Sequence, residues 1–83
     1  MNLTVRYFAS IRETLGTGSE AVQTQVLTVA DLRAELTARG GAYAEALAAN
    51  RAVRMALNQE LCEPSATLLE GCEVAFFPPV TGG

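Results

Sequence analysis

The sequence predicts an α+β domain in which one main helix packs against a mixed β-sheet. Four segments, near residues 3–9, 20–26, 52–58 and 73–77, alternate apolar and polar side chains with the period of two that is typical of strands. Between the second and third segments, apolar residues recur at helical spacing. A chain of 83 residues is long enough for one domain.

The first strand is followed by a short helix. Alternation places Leu3, Val5 and Tyr7 on one face of the strand, and Thr4, Arg6 and Phe8 on the other. Ser10 is the predicted N-cap of the helix, because Glu13 follows it at capping-box spacing. Gly16 or Gly18 is expected to end the helix.

The second strand, 20–26, leads into the main helix. In this strand Val22, Thr24 and Val26 share one face. Thr28 is the predicted N-cap, with Asp31 at the third helical position. The core-facing stripe of the helix consists of Val29, Leu32 and Leu36. Gly40 and Gly41 are expected to stop it, and residues 42–49 predict a further short helix.

Three strands complete the predicted sheet. The third strand covers 52–58, residues 58–60 turn the chain, Leu61 and Cys62 form a short strand, and 73–77 form the last strand. In the last strand Val74 and Phe76 share one face, and Glu73, Ala75 and Phe77 share the other. This order predicts a β-grasp over residues 1–77 with the last strand at the centre of the sheet.

Composition excludes several classes of function. The net charge is −3, and the six basic residues are all Arg and form no cluster, so we expect no nucleic-acid partner. The chain has no His, hence no imidazole base or metal ligand, and we expect no bound metal and no permanently bound cofactor. Cys62 and Cys72 fit neither a redox motif nor a zinc site and are expected to be small hydrophobes. No apolar run approaches the roughly 20 residues of a membrane span, and no signal-peptide pattern opens the chain, so we expect no membrane partner and a cytoplasmic location.

The C-terminal segment, residues 78–83, predicts an extended tail that ends in diglycine. Pro78 and Pro79 favour extended backbone, and Val80 and Thr81 lead to Gly82 and Gly83, which have no Cβ and can pass through a narrow channel. Many chain ends are rich in small residues without having a function, but the aromatic and proline residues that precede this one favour a functional tail.

Two aromatic residues, one in the first strand and one in the last, predict a protein-binding face. Phe8 and Phe77 fall on the sheet face that the helix does not cover, and Leu61 is expected to join them, with Pro78 and Pro79 at the edge of the interface. Large apolar groups on an open face mark interaction sites.

The chain resembles the small subunit of molybdopterin synthase, a family of ubiquitin-like sulfur carriers. The resemblance rests on the ending Glu-Val-Ala-Phe-Phe-Pro-Pro-Val-Thr-Gly-Gly, and more loosely on residues 5–9, 11–13, 56–59 and 70–71. Two departures, Glu70 and Cys72, replace Asp in a turn and bear on local stability more than on function.

The resemblance implies a mechanism for the tail. An E1-like adenylating enzyme would use ATP and magnesium to adenylate the Gly83 carboxylate, and sulfur from a donor protein would then displace AMP and leave a thiocarboxylate. The tail would enter the large subunit of the synthase, in a two-plus-two heterotetramer, and give sulfur to cyclic pyranopterin monophosphate to build the molybdopterin dithiolene. The chain would thus be a sulfur-donating subunit without an active site of its own.

Three alternatives stay open at this point. The chain could carry sulfur for another pathway, such as thiamine, cysteine or tRNA thiolation. It could be a ubiquitin-like modifier that is joined to target lysines through Gly83. It could also be an interaction module whose diglycine has no function.

Overall fold

The computed structural model describes residues 1–79, which form a five-stranded mixed sheet and three helices. In chain order the elements are β1 (Asn2–Tyr7), α1 (Ala9–Leu15), β2 (Ser19–Gln23), α2 (Val29–Thr37), α3 (Gly41–Leu47), β3 (Arg54–Leu57), β4 (Glu60–Leu61) and β5 (Glu73–Phe77). The strand order is β2-β1-β5-β3-β4. The predicted β-grasp and the central place of the last strand are confirmed.

The central strand β5 joins two hairpins into one sheet. It runs parallel to β1, with Tyr7 opposite Phe76, and antiparallel to β3, with Arg54 opposite Phe77. The β1–β2 and β3–β4 pairs are antiparallel. Because β5 has a partner on each side, its alternating side chains are fixed to two well-defined faces.

The core lies between the sheet and the helices. Its fully buried large side chains are Val5, Tyr7, Val29, Leu32, Leu36, Leu47, Val74 and Phe76. The rings of Tyr7 and Phe76 stack with centroids 6.4 Å apart and an interplanar angle of 18°. The predicted core faces of the first strand, the main helix and the last strand are therefore confirmed.

The main helix α2 begins as predicted and is tied to α3. The Thr28 hydroxyl accepts the Asp31 N–H at 3.1 Å, which satisfies one of the unpaired donors of the first turn. Arg33 donates to the carbonyl oxygens of Leu47 at 2.8 Å and Ala48 at 2.6 Å. These bonds hold the end of α3 against α2.

The predicted start of α1 was wrong. Ser10 does not cap the helix, which begins at Ala9 with Phe8 in the N-cap position and no side-chain cap. The Phe8 N–H donates to Phe76 O at 3.2 Å, and the Phe8 carbonyl accepts from Ile11 and Arg12. Pairing with β5 thus sets the start of the helix two residues before the capping box predicts it. Gly16 ends α1 with a φ of 75°, as expected.

Two predicted strands were too long, and the predicted stop of α2 was misplaced. The second strand ends at Gln23, which pairs with Asn2, the first residue of β1. The third strand begins at Arg54, which pairs with Phe77, the last residue of β5. The helix α2 ends at Thr37 with Ala38 as its C-cap, and Gly40 and Gly41 begin α3 instead. Among the described residues no helix is long and apolar enough to cross a membrane.

Candidate functional site

The predicted site falls into two parts, of which the structure describes one. Val80, Thr81, Gly82 and Gly83 lie outside the described residues, so their predicted role in activation stays a prediction. Pro78 and Pro79 directly follow β5 and are half-buried. The predicted interface residues Phe8, Leu61 and Phe77 are described in full.

These three side chains line one depression on the sheet face opposite the helices. Its volume is about 340 Å³. Phe8 is 40% exposed and Leu61 is 68% exposed, while Phe77 is half-buried. The structure thus brings together Phe8 and Phe77, which alternation placed on this face, and Leu61, which was expected to join them. We call this depression the apolar face.

The floor of the apolar face is made of small side chains. Ala56 of β3 and Ala75 of β5 are paired across the sheet, and both are buried. Alanine at these positions leaves a depression between the larger side chains that surround it. Alternation places Ala75 on the same face as Phe77, but it does not identify Ala56 as a neighbour of Ala75, because that contact depends on the β3–β5 register.

Phe8 is held in position by backbone and by charge. Its N–H bond to Phe76 anchors it beside the end of β5. The guanidinium carbon of Arg6 lies 5.4 Å from the centre of the Phe8 ring, a cation–π contact. Arg6 in turn contacts the Glu73 carboxylate at 3.8 Å. Neither charged residue was predicted to have a role here, although alternation places Arg6 on the face of Phe8 and Glu73 on the face of Phe77.

A second polar cluster lies away from the apolar face and serves the fold. The Glu20 carboxylate accepts hydrogen bonds from Tyr7 at 2.8 Å, Tyr43 at 2.6 Å and Arg39 at 2.9 Å. Burial alone would raise the pKa of Glu20, but these hydrogen bonds lower it below its ordinary value. Burial, and then the bond to Glu20, raise the pKa of Tyr7. Three donors, from β1, from α3 and from the turn between α2 and α3, thus hold this carboxylate, which links β2 to these parts of the fold.

The two thiols offer no reactive centre. Cys72 is buried, Cys62 is half-buried, and both are free. Burial, together with the neighbouring Glu63 charge, raises the pKa of the Cys62 thiol, which disfavours the thiolate. Within residues 1–79 no group of three or more Cys, Asp or Glu side chains is placed to hold a metal ion.

The strand order and the single helix-covered face of the sheet define a ubiquitin-like β-grasp protein. The model of the ThiS family matches residues 5–83, and the chain therefore belongs to the ThiS family. Among curated proteins, it is 42% identical over 79 residues to the molybdopterin synthase sulfur carrier subunit of Escherichia coli, a match that covers 95% of this chain and 96% of that one.

Solved structures give the same fold. Subunits 1 and 2 of the molybdopterin-converting factor from Helicobacter pylori form a protein–protein complex, and this chain matches a chain of that structure with a TM-score of 0.71, 26% identity and full coverage of both chains. SAMP1 from Haloferax volcanii matches with a TM-score of 0.78, 25% identity and full coverage of both chains.

Proposed function

We propose that this protein is the sulfur carrier subunit of a molybdopterin synthase. The observation that carries the proposal is the match to curated sulfur carrier subunits over almost the whole chain, together with a family match that runs through Gly83. In this proposal the large subunit of the synthase binds the apolar face and receives the tail.

The chemistry of the tail follows from the weakness of a carboxylate as an electrophile. In the proposed sequence an adenylating enzyme joins the Gly83 carboxylate to AMP from ATP and releases pyrophosphate. A persulfide sulfur from a donor protein then attacks the acyl carbon, and AMP leaves with the electron pair of the broken C–O bond. A second thiol then attacks the donor's sulfur in the resulting acyl disulfide, so that a protein disulfide forms and the thiocarboxylate leaves with the electron pair of the broken S–S bond. The thiocarboxylate is the nucleophile that delivers sulfur to cyclic pyranopterin monophosphate.

The role of the β-grasp domain is to bind and to orient. The described residues hold no nucleophile–base pair of the kind that acyl transfer needs, since Ser and Thr side chains here have no imidazole partner. The apolar face includes Phe77, the last residue of β5, which directly precedes the tail. Binding of this face to the partner would therefore position the tail relative to a catalytic pocket on the partner. The domain is therefore proposed to supply recognition, and its partners to supply catalysis.

Mass measurement tests this function directly. Incubation of the purified chain with the adenylating enzyme, ATP, magnesium and a sulfur source should raise its intact mass by one sulfur-for-oxygen exchange. Deletion of Gly83 should abolish the gain with the melting temperature unchanged, because chain ends contribute little to stability. Gly82→Val should also block it, since a branched side chain does not fit a channel that admits diglycine. A normal mass gain in the deletion variant would contradict the proposal.

A second candidate function is protein conjugation, favoured by the likeness to SAMP1, the small archaeal modifier protein 1 of Haloferax volcanii. The chain contains no Lys, so it cannot be its own side-chain acceptor. Adding a large synthase subunit and the pterin substrate separates the two functions. Release of sulfur with recovery of the unmodified chain supports the carrier, whereas a covalent adduct between Gly83 and a target lysine supports the modifier.

A further inference from the structure

The turn between β3 and β4 contains a side chain that its backbone conformation disfavours. Leu57 pairs with Glu60, so that Asn58 and Gln59 form a two-residue hairpin loop. Their φ angles are 49° and 70°. Asn tolerates this left-handed region, but the second position of such a loop is usually Gly, and Gln is disfavoured there because its Cβ crowds the backbone.

The fold accounts for Asn58 but not for Gln59. The Asn58 N–H donates to Glu73 O at 2.8 Å, and its side-chain oxygen accepts the Glu73 N–H at 2.9 Å, so Asn58 ties the hairpin to β5. Gln59 is exposed, and its carboxamide makes no hydrogen bond with the part of the chain that the structure describes. Gly would form the same turn with less strain. The Gln59 side chain therefore points to a role outside folding.

Its position supplies that role. Gln59 lines the apolar face together with Phe8, Leu61 and Phe77. Two other polar side chains, Arg6 and Glu73, also line it, and they contact one another. Among the residues that line the apolar face, Gln59 is thus the polar side chain that has no partner within residues 1–79.

We propose that the Gln59 carboxamide is the polar contact that orients the partner on the apolar face, by pairing with a main-chain peptide group of the large subunit. This inference rests on the proposed function. A carboxamide presents both a donor and an acceptor, which complements the N–H and C=O of an exposed peptide segment. A protein that covered Gln59 without offering a peptide N–H and C=O would leave the buried carboxamide unpaired. This lowers its affinity, so Gln59 discriminates against such a protein.

The test separates folding from binding in one substitution. Gln59→Gly removes the carboxamide and relieves the left-handed strain, which offsets the greater freedom of Gly in the unfolded chain. We expect the melting temperature of the full-length variant to stay level or rise. Its affinity for the large subunit of the same organism, measured by calorimetry, should fall about tenfold. A substitution that weakens binding without weakening the fold is the signature of a contact residue.

Two further variants complete the design. Gln59→Asn keeps an amide and tolerates positive φ, but is shorter by one methylene, so it should fold normally and still lose affinity. Gln25→Ala alters an exposed Gln that follows β2, at the opposite edge of the sheet, and should bind as the unaltered protein does. Equal affinity of the unaltered protein and Gln59→Gly would overturn this inference and leave the proposed function standing. Failure of the unaltered protein to bind the large subunit would refute both.

Discussion

Phe76 and Phe77 are adjacent in β5, but they are expected to respond to truncation in opposite ways. Phe76 is fully buried and stacks on Tyr7. Phe77 is half-buried and lines the apolar face. Replacing each by Ala should therefore separate the energetics of folding from those of partner binding.

The expected magnitudes differ several-fold. Truncating a buried Phe to Ala lowers the free energy of unfolding by about 3–5 kcal/mol, because apolar burial is lost and a cavity is left in the core. A domain of 83 residues has a total stability of roughly 4–12 kcal/mol, so Phe76→Ala removes a large share of it. At about 4–8 °C per kcal/mol for this size, the melting temperature should fall by about 12 °C or more. Phe77→Ala gives up a half-buried ring and should cost about 1 kcal/mol.

Binding should show the reverse order. An aromatic anchor at the centre of an interface typically contributes about 2 kcal/mol, which corresponds to roughly thirtyfold in affinity. Phe77→Ala should therefore bind the large subunit about thirtyfold more weakly. Phe76→Leu, which keeps most of the buried volume, should bind with nearly unchanged affinity, because it does not reach the apolar face.

The assays are thermal and urea unfolding, both monitored by circular dichroism, and calorimetric titration of the large subunit with each folded variant. If Phe77→Ala lost as much stability as Phe76→Ala, the ring would belong to the core and the assignment of the two faces would fail. If Phe77→Ala kept full affinity, the apolar face would not be the binding surface.

Two predictions concern the fold itself. Because the hydrogen bonds to Glu20 lower its folded pKa, the stability that they contribute should be present above its unfolded pKa of about 4.3 and lost as pH falls through the folded value. Glu20→Gln should then be less stable than the unaltered protein at pH 7, and its free energy of unfolding, measured by urea titration, should fall less between pH 7 and pH 3. If the free energies of unfolding of the two proteins fell in parallel with pH, this linkage would be wrong. Thr28→Ala removes the hydroxyl that caps α2 and should cost about 1 kcal/mol of unfolding free energy, whereas Thr28→Ser, which keeps the hydroxyl, should cost much less. Equal losses in these two variants would show that the cap bond is not the cause.

Local sequence signals correctly predicted the ends of those helices and strands whose boundaries depend on residues close together in the chain. The last strand was predicted over 73–77, which matches β5, because a strict alternation ends there at two prolines. Thr28 and Asp31 predicted the cap of α2 because both partners of that bond lie within one turn. These features need no knowledge of the rest of the chain.

The errors arose where a distant partner sets the limit. The second strand ends at Gln23, opposite Asn2, the first residue of β1; Thr24 still faces inward and exchanges two hydrogen bonds with Met1, the first residue of the chain. The start of α1 was set by the bond between Phe8 and Phe76, which are far apart in sequence. The same holds for the site: alternation identified Phe8 and Phe77 singly, but the pairing of Ala56 with Ala75 requires the register.

The place of Phe77 connects the fold with the proposed chemistry. Phe76 belongs to the core, Phe77 to the apolar face, and Pro78 begins the segment that leads to Gly83. A partner that binds the apolar face therefore fixes the origin of the tail to the rigid centre of the sheet, since β5 is paired on both sides. Four residues, Val80 to Gly83, span at most about 13 Å. Under the proposed function, the catalytic pocket of the large subunit must lie within about 13 Å of the place where Pro79 contacts that subunit. Pro79→Cys can be cross-linked to cysteines introduced into the large subunit at graded distances from the pocket. Cross-links only to cysteines that lie farther from the pocket than this would show that the geometry is wrong.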